Sequence, residues 1–364
     1  MSMVTASSKP ISVLVADDSA FMRTALTRMI ESDPGIKVGG TAQTGQEALE
    51  KIPRLQPDVV TMDVEMPGLN GLETLRRIMK EFPRPVIMVS SLTQEGAETT
   101  LEALGIGAFD YLPKQSSFVS LDIVKIRDEL IAKIKAAAGS RRRRPVVQPA
   151  ATAASVAAAA PHAHSARIPP SIVALGTSTG GPKALQEILP MLPSDLSVPV
   201  VIVQHMPPGF TGPFARRLDN LCKVNVREAQ TEEILSPGVV YIAPAGKHLT
   251  VYRRSPSKAA VRLSHLPENM LHVPSVDVMM LSVAEVFHSL AMGVIMTGMG
   301  ADGAKGMQAI AREGGFTVGQ DEASCTVYGM PRSCAEMGTL QRVVGLQQIP
   351  DQILQATQYK PRVQ

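Results

Sequence analysis

The sequence contains few cysteines and no long apolar run. Its 3 cysteines, Cys222, Cys325 and Cys334, are too few and too widely spaced for a disulfide framework, and none forms a close pair typical of zinc ligands. This pattern indicates a reducing compartment. The N-terminal residues lack the apolar core of a secretory signal, and no stretch approaches the roughly 18 consecutive apolar residues of a membrane span. We therefore expect a cytoplasmic protein that does not insert directly into a membrane.

The sequence also lacks a charge imbalance outside one short segment. Its 364 residues carry 36 Lys and Arg against 33 Asp and Glu, but residues 140–168 contain five arginines and no acid. Without those five, 31 basic residues stand against 33 acidic ones, a net charge of −2. The basic pI therefore reflects that segment alone, and we expect no nucleic-acid partner for either folded part.

A change in composition divides the chain. A helical pattern ends near Gly139 and is followed by SRRRRPVVQPAATAASVAAAAPHAHSARIPP, which has almost no large apolar residue to bury. We predict a flexible linker over residues 137–168, between domains at 9–136 and 169–364. The arginine run is typical of a solvated tether, with a phosphate- or membrane-binding patch as the alternative.

Short β-rich runs alternate with amphipathic helical runs on both sides of this linker. The strand candidates of the first domain are ISVLVA, IKVGGTA, DVVTM, PVIMVSS and FDYLP; those of the second are SIVALG, PVVIVQH, VVYIAP, KHLTVYR, AVRLSH and AMGVIMTG. This alternation predicts two doubly wound α/β domains with mainly parallel sheets, flavodoxin-like before the linker and Rossmann-like after it.

Charged and hydroxyl side chains follow several strands of the first domain. They are Asp17 and Asp18 after the first strand, Asp63 after the third, Ser90 after the fourth and Lys114 after the fifth. Because the carboxyl ends of parallel strands share one crevice, these groups are expected to converge. Three carboxylates that repel one another favour a bound divalent cation such as Mg²⁺, and a carboxylate beside Mg²⁺ is equipped to attack a phosphoryl group.

The first domain resembles the receiver domains of two-component response regulators. The residues that carry the resemblance are the acidic pair in VADDS, Asp63 in MDVEMPGLNG, Ser90 in MVSS and Lys114 in YLPK. The resemblance implies that a histidine kinase provides the phosphoryl group for Asp63. It also implies that Asp18, Asp63 and the Glu65 carbonyl coordinate Mg²⁺ with support from Asp17, and that Ser90 and Tyr111 rearrange upon phosphorylation.

The first strand of the second domain runs into a sharp glycine turn. Residues 176–180 match the pattern G-x-S-x-G, and Pro182 suits the first turn of the helix that follows. Such a turn would hold Ser178 at the edge of the sheet, where backbone N–H groups at the helix start can stabilise an oxyanion. The pattern alone also permits a turn that binds phosphate or binds nothing.

A nucleophilic serine needs a base and an acid that orients it. His205 directly follows the strand VVIVQ, next after the strand with Ser178, whereas the other histidines lie in the linker, in a loop, on a helix or at polar strand ends. Asp302 lies in the glycine turn after AMGVIMTG, at a third strand end. We therefore predict Ser178, His205 and Asp302 as a catalytic set, in a chain order that differs from that of α/β-hydrolases.

Two other interpretations remain open for the second domain. Residues 298–303 satisfy G-x-G-x-x-G, and Asp321 follows about twenty residues later, as in dinucleotide sites. Against this, the strand comes late in the domain, and an acid inside the turn would repel a pyrophosphate. A transcription regulator would need a helix-turn-helix with a basic recognition helix, and the apolar strands and glycine turns do not match that pattern.

Together the segments GTSTGG, QHMPPGF, PSVDV, TGMGADG and EASCTVYGMPR resemble the catalytic domain of chemotaxis protein-glutamate methylesterases. The resemblance implies that Thr179 and the Met299 backbone support the nucleophile or the oxyanion, and that no metal is needed in this domain. Two positions depart from the commonest pattern of the family, Thr177 in place of alanine and Ala301 in place of asparagine. Both flank predicted catalytic residues, and neither change removes a catalytic group.

The combined resemblance implies an enzyme that phosphorylation activates. It would hydrolyse glutamate methyl esters on methylated chemoreceptors, release methanol, deamidate receptor glutamines and so provide sensory adaptation in chemotaxis. The unphosphorylated receiver would cover the esterase site, and phosphorylation would loosen that contact. The same chemistry in a non-chemotactic sensory pathway is the alternative that the sequence leaves open.

Overall fold

The computed structural model describes residues 9–91, 93–114, 122–142 and 168–360. Its first domain has strands β1 (Ile11–Ala16), β2 (Ile36–Ala42), β3 (Val59–Asp63), β4 (Val86–Ser91) and β5 (Asp110–Lys114). Its helices are α1 (Ala20–Glu31), α2 (Gly45–Leu55), α3 (Gly71–Glu81), α4 (Gln94–Ile106) and α5 (Asp122–Arg142). The sheet has the order β2-β1-β3-β4-β5 and all its pairs are parallel, which confirms the flavodoxin-like prediction.

Local sequence signals explain where these elements begin. Helix α1 starts after Ser19, whose hydroxyl accepts a hydrogen bond from the Met22 backbone N–H at 3.3 Å. Strand β3 is buried along its whole length because helices cover both faces of a parallel sheet. Helix α5 continues to Arg142, so residues 137–142 are helical although we predicted linker there. Residues 143–167 of the predicted linker lie outside the described part of the chain.

The second domain contains a larger parallel sheet and a separate hairpin. Its strands are β6 (Ile172–Thr177), β7 (Val200–Gln204), β8 (Asn225–Glu228), β9 (Val239–Ile242), β10 (His248–Ser255), β11 (Lys258–Ser264), β12 (Ala291–Ile295), β13 (Phe316–Gln320) and β14 (Arg342–Val344). Its helices are α6 (Gly181–Ile188), α7 (Thr211–Leu221), α8 (Val276–Phe287), α9 (Ala304–Arg312), α10 (Met330–Glu336) and α11 (Ile349–Ala356). The seven-stranded sheet has the order β14-β13-β12-β6-β7-β9-β8, and all its pairs are parallel.

This arrangement confirms the predicted class of two α/β domains with mainly parallel sheets. The segments KHLTVYR and AVRLSH form the antiparallel hairpin β10–β11 and do not join the large sheet. Strands β8, β13 and β14 were missing from the sequence prediction because they are short or rich in polar residues and glycine. The chain order reverses between β6 and β12, which places a crevice at the carboxyl ends of these strands.

The two domains share a buried apolar cluster. Leu101 and Leu104 of α4 belong to the same cluster as Leu185 of α6 and Phe214 of α7. Helix α4 accordingly packs next to α6 and α7. Burying apolar side chains between the domains stabilises this arrangement.

In the described ranges, no helix is long and apolar enough to cross a membrane.

Candidate functional site

Three carboxylates meet at the carboxyl ends of β1 and β3. Asp17 and Asp63 are buried while Asp18 is exposed, and each offers an oxygen atom within 4.8 Å of the others. The Lys114 Nζ lies 2.6 Å from an Asp63 oxygen and 3.2 Å from an Asp17 oxygen. One ammonium group leaves most of this negative charge uncompensated. The oxygen donors therefore fit a hard divalent cation such as Mg²⁺.

Burial and charge determine the protonation of this cluster. Burial raises the pKa of Asp63 to about 6, although the hydrogen bond and positive charge of Lys114 oppose that rise. Burial also disfavours the charged form of Lys114, but the nearby Asp63 and Asp17 carboxylates outweigh it and raise the pKa of Lys114. Asp63 and Lys114 thus form a partly desolvated ion pair.

The remaining predicted receiver residues lie around this cluster. The Glu65 backbone N–H donates to Asp63 Oδ1 at 3.2 Å, so the segment after β3 folds back over the carboxylate. Ser90 is fully buried, and its hydroxyl donates to the Gly96 carbonyl at 3.1 Å. Tyr111 is also buried, and its ring faces the second domain.

In the second domain, close packing of glycines shapes the turn that carries Ser178. The Ser178 N–H donates to the Thr297 carbonyl at 3.0 Å, and the Gly181 N–H donates to the Ser178 carbonyl at 2.7 Å. Gly180 has φ +80°, a left-handed conformation that glycine adopts without strain. A Cβ atom on Gly298 would lie 2.9 Å from the Ser178 Cβ. The glycine loop after β12 therefore lies directly against Ser178, and Met299 follows Gly298 in that loop.

His205 and Asp302 are joined by a hydrogen bond. The His205 Nε2 lies 2.8 Å from Asp302 Oδ2. The His205 backbone N–H also donates to the Thr177 carbonyl at 3.2 Å, which places His205 beside the residue that precedes Ser178. Within the described residues, the buried His205 Nδ1 has no hydrogen-bond partner. This nitrogen is therefore available to exchange a proton with a group in the crevice.

The start of α8 holds the Asp302 carboxylate. The Ser275 hydroxyl and the Asp277 N–H donate to Asp302 Oδ1 at 2.8 and 2.9 Å, and the Val276 N–H donates to Oδ2 at 2.8 Å. A helix N-terminus favours a negative charge at this position. Burial alone would raise the pKa of Asp302, but His205 and these backbone donors hold it well below its usual range. Asp302 is therefore ionised, and its Oδ2 binds the His205 imidazole.

Sequence reasoning missed several residues of this site. The Gln204 amide donates to the backbone carbonyls of Ser178 and His205 at 3.1 and 2.9 Å, which joins the two segments. His272 stacks on His205, with ring centroids 4.0 Å apart and an angle of 15° between the planes. Ser275 caps α8, and its hydroxyl also binds Asp302. The N-cap pattern of PSVDV gave the only signal for any of these three.

Thr177 and the other histidines have different roles. The buried Thr177 hydroxyl donates to the Thr297 carbonyl at 2.8 Å and so ties the end of β6 to the loop after β12. His248 is fully buried, and its Nδ1 accepts a hydrogen bond from the Ser275 N–H at 3.1 Å. His288 pairs with Glu313 before β12 begins, at the other end of that strand. His162 and His164 lie outside the described residues.

The receiver contacts the turn next to Ser178. The Thr179 hydroxyl donates to the Asp110 carboxylate of β5 at 2.9 Å. Lys133 of α5 lies 3.2 Å from the same carboxylate, so an ion pair fixes the acceptor in place. The Tyr111 ring stacks on Phe210 with centroids 5.2 Å apart and an angle of 7°. Both loops that follow β6 and β7 are thus held against one face of the receiver.

The neutral form of His272 gives a testable pH dependence of stability. Burial and the neighbouring His205 lower the pKa of His272 from 6.5 to about 4. The unfolded chain therefore binds a proton at a higher pH than the folded chain does, so stability should fall as the pH drops from 6.5 towards 4. As the pH falls over this range, we expect the free energy of unfolding of His272→Phe to decrease by about 1–3 kcal/mol less than that of the wild type. Urea unfolding at several pH values measures this difference. Equal pH dependence in both proteins would contradict this expectation.

The first domain combines an acidic cluster and a facing lysine with a flavodoxin-like sheet. The second domain has a parallel sheet, a serine turn and a His–Asp pair. Together these features define a response regulator with a hydrolase output domain. Comparison with known proteins specifies the family. Residues 13–124 match the family described as "Response regulator receiver domain", and residues 173–353 match "CheB methylesterase". The chain belongs to the CheB methylesterase family and carries its receiver domain.

Individual relatives cover nearly the whole chain. A protein-glutamate methylesterase/protein-glutamine glutaminase of Oleidesulfovibrio alaskensis is 46% identical, over 95% of this chain and 99% of the relative. One from Pyrococcus horikoshii is 45% identical, over 96% of this chain and 94% of the relative. The crystal structure of the CheB methylesterase catalytic domain of Thermotoga maritima covers 52% of this chain and 99% of that domain, with 39% identity and a TM-score of 0.50.

Proposed function

We propose that the chain demethylates glutamate methyl esters on chemoreceptors and deamidates receptor glutamines, with Ser178 as nucleophile, His205 as base and Asp302 as orienting acid. The observation that carries this proposal is the His205 imidazole. One nitrogen is bound to an ionised carboxylate. The other is buried beside the Ser178 turn and has no partner among the residues that the structure describes. Within a methylesterase family, that geometry supports acyl transfer through a serine.

The reaction follows from this arrangement. His205 Nδ1 accepts the proton of the Ser178 hydroxyl while Ser178 Oγ attacks the ester carbonyl. Collapse of the tetrahedral intermediate breaks the C–O bond, and His205 returns the proton so that methanol leaves. Water then attacks the acyl-enzyme as His205 takes one of its protons, and collapse of the second tetrahedral intermediate breaks the bond between the acyl carbon and Ser178 Oγ. His205 returns the proton to Ser178 Oγ, and the free glutamate leaves. A glutamine substrate follows the same steps with ammonia as the leaving group.

The oxyanion of the intermediate needs hydrogen-bond donors near Ser178. We assign this support to Thr179 and to the backbone of Met299. Thr179 directly follows the nucleophile, and Met299 follows Gly298, whose backbone lies against Ser178. Donors aimed at a developing oxyanion are worth about 10²–10³ in rate in other hydrolases. In the structure, the Thr179 hydroxyl is bound to Asp110 of the receiver.

The receiver adds control by phosphorylation. We assign Asp63 as the phosphoryl acceptor, a histidine kinase as the donor, and Asp18, Asp63 and the Glu65 carbonyl as Mg²⁺ ligands with support from Asp17. Bound Mg²⁺ would neutralise the phosphoryl oxygens during transfer. Lys114, 2.6 Å from Asp63, would hold the charge of the product.

The route from Asp63 to the esterase site is short. A phosphoryl group on Asp63 would add about −1.5 to −2 charge and would bind Lys114 and the Ser90 hydroxyl. Lys114 ends the strand β5 that also carries Asp110 and Tyr111, the residues that contact Thr179 and Phe210. A rearrangement of β5 and Ser90 would therefore release the turn beside Ser178 and admit the substrate.

Asp63→Asn tests this control. With Mg²⁺ and a small phosphodonor, we expect the variant to incorporate no phosphoryl group and to show no increase in methanol release, whereas the wild type shows both. The exposed Asp351→Asn on α11 serves as a matched control and should respond like the wild type. Stimulation of Asp63→Asn to the wild-type level would refute the assignment of Asp63.

A further inference from the structure

His272 packs face to face against His205, and the proposed reaction assigns it no role. It lies in the irregular segment between β11 and α8. Its ring is stacked on the His205 ring, with centroids 4.0 Å apart and an angle of 15°. At this separation the two rings contact each other face to face. The hydrogen bond to Asp302 lies at the edge of the His205 ring and provides no contact with its face.

The edge and the face of His205 are therefore constrained separately. Asp302 binds Nε2 in the plane of the imidazole, but a single hydrogen bond leaves the ring free to rotate about that bond. A second ring stacked on the face restricts this rotation. The free Nδ1 then keeps one direction, as proton exchange with a nucleophile requires, because general-base catalysis depends on alignment.

The segment that carries His272 also holds Asp302. Ser275 lies three residues further along, and its hydroxyl donates to Asp302 Oδ1 at 2.8 Å. The Ser275 N–H is in turn bound to the buried His248. One short stretch of chain thus fixes both the carboxylate and the imidazole relative to α8.

We propose that His272 is a positioning residue for His205, which it holds by ring stacking in the orientation that lets Nδ1 take the serine proton. This inference rests on the proposed function, because it presumes that His205 is the base. The stacked ring must be aromatic, and it does not need to exchange a proton itself.

The charge of His272 is consistent with this role. The charged or titratable groups that act on it are His205, Asp302 and, from receiver helix α5, Glu129. Burial and His205 keep the imidazole of His272 neutral at neutral pH. A neutral aromatic ring can accept the positive charge that develops on His205 against its face, whereas a protonated His272 would repel it.

The test compares two substitutions in the full chain treated with a phosphodonor. His272→Ala removes the ring, and we expect kcat for methanol release to fall about tenfold with KM within about twofold, because alignment and not binding is lost. His272→Phe keeps an aromatic face without a proton to exchange, and we expect kcat within about threefold of the wild type. Its pH profile of kcat/KM should match that of the wild type from about pH 5 to 8.

Controls separate this inference from the proposed function. His288→Ala alters an exposed histidine near the other end of β12 and should leave kcat unchanged. His205→Ala should abolish activity; if it does not, the proposed function fails. If His205→Ala is inactive but His272→Ala keeps wild-type kcat, only the positioning role is wrong. If a folded His272→Phe loses as much kcat as His272→Ala, or shifts the pH profile, His272 exchanges a proton and the stacking role is overturned.

Discussion

Ser178→Ala is expected to reduce methanol release from methylated receptor by about 10⁴-fold or more, since loss of the nucleophile in serine hydrolases leaves only oxyanion stabilisation and binding. The substitution removes one hydroxyl oxygen. The backbone hydrogen bonds that shape the turn, from Ser178 to Thr297 and from Gly181 to Ser178, do not involve that oxygen. The fold should therefore persist. The measurement is kcat on methylated receptor with a circular dichroism spectrum as a check of folding.

Two comparisons sharpen this experiment. Ser171→Ala changes an exposed serine just before the same strand, β6, at its other end, and should keep wild-type kcat. Asp302→Asn should retain about 10 to 100 times the activity of Ser178→Ala, because orientation is lost while the nucleophile remains. Near-normal turnover by a folded Ser178→Ala would eliminate Ser178 as the nucleophile.

Asp110→Ala is expected to raise the activity of the unphosphorylated chain by about tenfold. The Thr179 hydroxyl donates to this carboxylate at 2.9 Å, across the contact between receiver and esterase. A hydrogen bond to a charged group contributes about 1.5–3 kcal/mol, and about 1.4 kcal/mol corresponds to a tenfold change in an equilibrium. Lys133 keeps its second partner, Glu129, at 2.8 Å, so the substitution does not leave a buried ammonium alone.

A weaker contact between the same domains provides the control. Arg216 and Glu98 lie 3.6 Å apart, and their side chains are 60% and 62% exposed. Exposed ion pairs contribute little, so Glu98→Ala should leave basal activity within about twofold. The phosphodonor should stimulate Asp110→Ala less than the wild type, because the substitution has already weakened the contact between the receiver and the esterase domain. Unchanged basal activity in Asp110→Ala would show that this bond does not restrain the esterase site.

Much of the fold and of the candidate site was predictable because parallel strands place their carboxyl ends together. Asp17, Asp63 and Lys114 occupy such ends, and the structure brings them within ion-pairing distance. The same rule explains why His205, after β7, lies next to Asp302, after β12, although the two residues are about a hundred positions apart in the sequence. Apolar strands with charged or hydroxyl residues at their ends are visible in a single sequence.

The parts that escaped prediction depend on contacts that strand order does not encode. His272 and Ser275 reach the site from a segment after the antiparallel hairpin, and no strand end marks them. The bond between Thr179 and Asp110 depends on how two domains pack, which local patterns do not specify. Strand β8 is a polar edge strand with a single buried residue, so neither alternation nor an apolar run reveals it.

The most direct test of the central claim is methanol release from a methylated chemoreceptor by one preparation of the chain, measured before and after addition of Mg²⁺ and a phosphodonor. A phosphorylation-controlled esterase should release methanol slowly at first and several-fold faster after phosphorylation. Two results would contradict a phosphorylation-controlled esterase. One is that no methanol appears under either condition. The other is that the rate stays the same although the phosphodonor has demonstrably modified the chain.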